Sequence, residues 1–259
     1  VAAGGEEMSL LEQLAKPETD KEFEELGKKT FRHLKAKENA KGWEQCFHRK
    51  KGKLAEMHIW SMPYPKKSSP LNMYKGITVV PHISPARLQE EIWNLTDARR
   101  IREFDDVVRS YSTLEEVHAT LRVDHCQAQL PWPVWNRHVT YAIFRSPPPG
   151  MEGPAAEWSR GLDLEEGRKC HVWAVAVRHR REPRLPAKTL QMRLMGYFGF
   201  EALPGHDVRS SPGTRITRII FGDPAGSMPS WLVRRQAQTQ AQGIVDWIEK
   251  TYSRPQARL

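Results

Sequence analysis

The sequence predicts an α+β fold built on an antiparallel sheet. Two helices follow the first strand-like segments, a run of strand-length segments follows the helices, and one long amphipathic helix closes the chain. Strands in succession, with helices grouped rather than alternating, favour antiparallel pairing over βαβ crossovers.

The elements come in the following order. Thr19 and Glu22 form a T-x-x-E capping box, and Phe23, Leu26, Thr30 and Leu34 follow at helical spacing, so a helix is expected over 19–36, with a shorter one over 9–15. Gly42 marks the break after it. The segments 43–50 and 54–60 flank Lys51-Gly52 and read as a hairpin, and 73–80 reads as a further strand. Pro81 and Ser84-Pro85 then open a helix that runs to Trp93, with Leu88 and Ile92 on one side, and a short helix covers about 97–105. Strands are expected over 115–126, 137–145, 169–179, 189–198 and 214–222, separated by loops such as "SPPPGMEGP".

Composition narrows the classes. A chain of 259 residues with mean hydropathy −0.64, 39% hydrophobic residues and nine tryptophans can bury a real core, so wholesale disorder is excluded. Apolar runs are short and broken by charge, so no transmembrane helix is expected, and the N-terminus lacks the pattern of a secretory signal. Three scattered cysteines, with no CxxC, fit a reducing cytosol, and the ten histidines form no HExxH, so no metal and no cofactor are expected. The net charge of +9 suits an anionic partner surface, with "HRKKGK" and "RHRREPR" as basic turns.

Two stretches share a property that a solid core does not need. On the strand at 169–179, one face carries Val172, Ala174 and Ala176, apolar but small. The last helix carries Val233, Ala237, Ala241, Ile244, Ile248 and Tyr252 on one stripe, with alanine at its centre and Gly243 beside it. Small residues on facing elements serve tight packing or leave room for a guest, and the pattern alone does not choose.

A resemblance bears on that choice. "ITRIIFGDPAGSMPSWLVRRQAQ" resembles the closing segment of START domains, the lipid-transfer domains related to steroidogenic acute regulatory protein, with Asp223, Pro224, Gly226, Pro229 and Leu232 at the matching positions. "LPWPVWNRHVTYAIFR" is similar to the family's P-x-x-x-R-D strand opening, with Arg137 at the arginine and His138 in place of the usual aspartate. "WEQCFHRKKGKLAEMHIW" is similar to its first hairpin, and the likeness spans about 42–252. The family often has W-D/E ahead of its central strands, where Phe104-Asp105 stands here, and Ile101 stands where some members carry an arginine. The resemblance implies a helix-grip fold: a curved antiparallel β-sheet around a long C-terminal α-helix, enclosing a lipid tunnel. It implies residues 1–18 as an N-terminal extension, with Met8 a candidate start, 19–252 as the lipid-binding domain, and 253–259 as a tail.

The function it implies is binding of one lipid or sterol-like molecule (phospholipid, sphingolipid or sterol) in an internal cavity, for carriage between membranes or for sensing. The protein is then a non-enzyme, cytoplasmic and peripheral at membranes, a monomer that meets a transient, anionic membrane surface and no nucleic acid. Asp124, Cys126, Arg145, Ala174, Met192, Arg218, Ala237 and Ala241 are the candidate lipid-binding residues, with Asp124 paired to Arg218 or Arg145. An arginine flanked by isoleucines, as Arg218 is, suits a cavity wall better than a wet face, although aliphatic stems along the outer sheet would give the same pattern. Trp132, Met228 and Pro229 are the candidate membrane-contact lip, because aromatic side chains suit the bilayer interface, with Trp135 in the same loop. Two alternatives stay open, a helix-grip enzyme of cyclase or hydrolase type and an adaptor with a vestigial pocket. Against catalysis, Asp124 and His125 are adjacent and so face opposite sides of a strand, and no GxSxG elbow is present. "MGYFGFEAL" has a passing likeness to an RNA-binding strand but lacks the leading basic residue.

Overall fold

The computed structural model describes residues 14–50, 55–64, 71–130, 134–226 and 230–252, without the side chains of 230–238, 240 and 241. The first helix, α1 (Asp20–Glu38), starts at Thr19 with the expected reciprocal cap: Glu22 N–H donates to Thr19 Oγ1 at 3.3 Å and Thr19 N–H to Glu22 Oε2 at 3.1 Å. The expected helix over 9–15 lies mostly outside the described residues, and Ala15 itself makes a parallel bridge to Val177. Next come β1 (Glu44–Arg49), β2 (Met57–Pro63), β3 (Asn72–Pro81), α2 (Pro85–Trp93) and α3 (Ala98–Ile101). Then follow β4 (Val108–His118), β5 (Leu121–Ala128), β6 (Asn136–Arg145), α4 (Pro154–Glu157), β7 (Lys169–Ala176), β8 (Thr189–Gln191), β9 (Arg193–Ala202), β10 (Gly213–Asp223) and α5 (Ser230–Tyr252).

Among the described residues ten strands form one sheet in the order β1-β2-β3-β10-β9-β7-β6-β5-β4, with the short β8 pairing parallel to β6 and the rest antiparallel. The early hairpin and the late strands therefore meet at β3 and β10, which run in unbroken register from Gly213 opposite Pro81 to Phe221 opposite Met73.

Two expectations need correction. The segment read as one strand over 115–126 is the inner half of a hairpin, in which β4 and β5 pair and Ala119-Thr120 make the turn. No glycine or proline stands there to announce it. The segment over 189–198 is two strands, because the chain leaves β6 after Gln191 and joins β10 from Arg193.

Alternation along the strands gives the sheet an apolar layer on each face. On the convex face, α1 packs Phe23, Phe31 and Leu34 against Leu121, Val123, Phe144, Trp173 and Tyr197. It lies close because Gly27 has no side chain: a Cβ there would come within 2.5 Å of the Phe144 ring. Trp173 Nε1 donates to the Gly27 carbonyl at 2.9 Å, which fixes the depth of approach. On the concave face, α2 and the C-terminal part of α5 contribute Leu88, Ile92, Ile244, Ile248 and Tyr252 to a second layer with Met57, Ile59, Val172 and Ile216. Here Gly243 is the close contact, since a Cβ would meet the Phe104 carbonyl oxygen at 2.4 Å. No described helix is long and apolar enough to cross a membrane.

Candidate functional site

The concave layer is not solid. Between the sheet, the α2–α3 segment and the loop after α3 lies a cavity of about 260 Å³. The void is many times the ~10–15 Å³ that one water needs. Its described walls are mostly apolar: Ile92, Leu95, Ile101 and Phe104 on the helical side, Val139, Ile143, Val172, Ala174, Leu194, Phe198 and Ile220 on the strands, and Met192 between β8 and β9. Val172 and Ala174, the small face expected of β7, stand on the cavity side, so the strand leaves space where Leu or Phe would fill it.

Polar groups occupy one flank. Asp124 is fully buried, at 0% exposure, and its carboxylate accepts from three donors. Tyr111 Oη donates to Oδ2 at 2.6 Å, Arg122 Nε to the same oxygen at 2.7 Å, and Thr113 Oγ1 to Oδ1 at 2.8 Å. Arg122 also donates to the Trp93 carbonyl, and its guanidinium lies over the Trp93 ring at 4.3 Å. Burial works against the Arg122 charge, and the adjacent Asp124 more than offsets it, leaving the guanidinium above its ordinary value. Tyr111 and Tyr141 meet edge to face at 6.3 Å, and burial raises both phenols well above the usual range, so they are neutral donors. Cys126 lines the same flank, its thiol pushed up to about 12 by burial and so protonated.

Across the cavity stands Arg218, its guanidinium 5.1 Å from the Phe198 ring. Burial brings it down to about 10, against the pull of the Asp105 carboxylate, so it is still a cation at neutral pH. Asp105, like Arg218, lines the cavity.

The arginine expected to pair with Asp124 is a different one. Arg218 is on β10, and β9, β7 and β6 intervene before β5, a span of roughly 19 Å at ~4.8 Å per strand. Arg145 lies four residues along β6 from Tyr141, the partner of Asp124, or roughly 13 Å at ~3.3 Å per residue. It is outside the described cavity wall: it donates to Glu90 at 2.6 Å and to the Ala119 carbonyl at 3.1 Å, and covers the Trp93 ring at 4.6 Å. Arg122, two residues from Asp124 on the same face, is the partner. Of the other candidates, Cys126, Ala174, Met192 and Arg218 line the cavity, while Asp124 stands behind Tyr111 and Arg122, which do. The side chains of Ala237 and Ala241, and residues Trp132, Met228 and Pro229, lie outside the described residues.

One end of the cavity is tied by a single side chain. Arg137 lines it and donates to the carbonyls of Pro224, at 2.5 Å, and Ala225, at 3.1 Å, as well as to that of Trp135. The turn that leaves β10 and the loop that opens β6 are thereby joined. Trp135 is 49% exposed beside this junction, and the exposed Arg109 donates to Gln129 at 3.1 Å nearby.

Sequence reading missed Tyr111 because β4 was not separated from β5, and it did not single out Arg122 as the partner of Asp124. The i, i+2 spacing of Arg122 and Asp124 was the available signal.

No family model matches the sequence, and no curated protein matches it. Solved structures do match the fold. Human STARD10 is similar with a TM-score of 0.62 at 16% identity, over 93% of this chain and 82% of that one. Human StAR-related lipid transfer protein 5 gives 0.61 at 15%, over 90% and 98%. The lipid transfer and protein localization domain of human StarD13 gives 0.55 at 16%, over 85% and 93%. The chain thus has the helix-grip fold of these START-domain structures, an antiparallel sheet curved around a long C-terminal helix.

Proposed function

We propose that the chain binds one lipid or sterol-like molecule in this cavity and carries it between membranes or senses it. The observation that carries the reading is the void itself, apolar over most of its wall and charged or hydroxylated on the rest. Each methylene brought out of water into it returns ~0.8 kcal/mol. The apolar wall takes the hydrocarbon. Arg218 with Asp105, and the Tyr111 hydroxyl held by Asp124, are the groups available to a polar end, which needs partners once it has lost water. Asp124 acts through Tyr111 and Arg122, which line the cavity in front of it. Arg145 has no part in this site.

Exchange takes place at the end tied by Arg137. Exposed Trp135 and the basic Arg102 and Arg109 there suit the interface of an anionic bilayer, and Trp132, Met228 and Pro229 are close in sequence to Trp135 and Ala225. The protein so read is a non-enzyme that works in the cytoplasm, as a monomer, at membrane surfaces. Native mass spectrometry after incubation with a cellular lipid extract tests the reading: one lipid retained per chain is expected. A chain that stays empty at every lipid concentration overturns it and leaves an adaptor or an enzyme.

A further inference from the structure

The β1–β2 hairpin brings three potential metal ligands together on the convex face, away from the cavity. His48 and His58 are directly opposed across the two strands, and Glu56 stands two residues before His58, so all three side chains share one face. Both imidazole Nε2 atoms approach the same carboxylate oxygen: His48 at 2.9 Å and His58 at 3.1 Å from Glu56 Oε1. All three ligand atoms lie within 4.8 Å of one another. An ion with ~2.0–2.1 Å bonds and tetrahedral angles sets neighbouring ligand atoms roughly 3.3 Å apart, close to the two His–Glu distances here.

We propose that His48, Glu56 and His58 form a surface site for a divalent transition metal of the zinc type. Two neutral imidazoles and one carboxylate are the donor set that such ions prefer, whereas calcium and magnesium require mostly oxygen ligands. The imidazole rings are already side by side, with centroids 4.3 Å apart and planes 10° from parallel, and Trp60 backs His58 at 5.6 Å. Binding a shared ion turns the two rings out of this stack so that their Nε2 lone pairs converge. Side-chain exposures of 32%, 33% and 49% leave the ligands reachable and leave room for a water as fourth ligand. No familiar metal spacing marks the site in the sequence, because strand pairing and not helical repeat assembles it.

The site has a structural consequence for α5. On the opposite face of the same hairpin, Arg49 pairs with Asp246 at 2.5 Å and with Glu249 at 3.6 Å, and the Ala55 amide donates to Glu249. An ion that clamps β1 to β2 therefore braces the strand pair that holds the end of that helix.

Zinc chloride titrated calorimetrically into the full chain tests the proposal, in a Cys46→Ser background so that this exposed thiol does not compete for zinc. One equivalent should bind, and His48→Gln, His58→Gln and Glu56→Gln should each weaken it at least tenfold. Thermal unfolding without metal checks that the variants fold. Hydrogen exchange in 44–49 and 57–63 should slow with zinc in the parent and not in His48→Gln. Absence of binding up to millimolar zinc, or one equivalent bound equally well by the two histidine variants, overturns the site.

Discussion

Replacing Asp124 by alanine would leave a guanidinium in the protein interior without its countercharge. Arg122 is 4% exposed and would keep the Trp93 carbonyl and ring and the neutral Tyr111 hydroxyl as partners, none of them a countercharge. Breaking a buried ion pair from one side costs about 3–5 kcal/mol. The hydroxyls of Tyr111 and Thr113 lose their acceptor as well, at about 1 kcal/mol each at the low end. With partial relaxation, the expected loss is about 4–6 kcal/mol, against the ~5–15 kcal/mol that holds a typical domain folded. Urea unfolding followed by tryptophan fluorescence, with nine tryptophans to report, measures it. The decisive comparison is the double variant Asp124→Ala, Arg122→Met. Removing the orphaned cation should recover about 2 kcal/mol or more, although one charged residue fewer remains. If the single variant loses less than about 1 kcal/mol, or the double variant is no more stable than the single, the two charges are not the buried pair described here.

Other outcomes follow from the same contacts. Ala174→Phe should project its ring into the cavity and abolish lipid retention in native mass spectrometry without lowering the unfolding midpoint. Gly243→Ala drives a methyl group into the Phe104 carbonyl, so it should destabilise by about 1–3 kcal/mol in urea. Arg137→Ala removes the bonds to Pro224, Ala225 and Trp135, and should speed lipid exchange between vesicles while costing about 2–3 kcal/mol. His171 is fully buried, accepts from Tyr197 Oη at 3.0 Å, donates to the Leu164 carbonyl at 2.9 Å, and is held down to about 4 by burial. The unfolded chain takes up that proton near pH 6.5 and the folded one only near 4, so stability should fall as pH drops through this window, by about 3 kcal/mol from His171. His171→Gln should flatten the fall measured by urea unfolding at each pH.

The parts of the fold that were readable were those with a local cause. Thr19 and Glu22 announce α1, Pro85 announces α2, and strand-length apolar runs between turn-rich loops find β6, β7 and β10, because each is a short-range pattern. The β4–β5 hairpin was not readable, since Ala119-Thr120 turns without the residues that usually mark a turn, and pairing with β6 is what fixes the register. In the candidate site, the small face of β7 was visible and Arg218 stood out between isoleucines. The partner of Asp124 was not, because choosing among arginines needs strand order, a long-range property. The cluster of His48, Glu56 and His58 was invisible for the same reason.

The helix on the back of the sheet has a bearing on how the protein would yield. With Gly27 seated against Phe144 and Phe31 against Trp173, the central strands are wedged from behind. A wall packed this closely is expected to act as the anvil, with α5 and the turn at Pro224 as the jaw that yields. Guests of different girth would then be accommodated by displacement of one side only, so hydrogen exchange on loading should change in 230–252 and stay constant in 20–38.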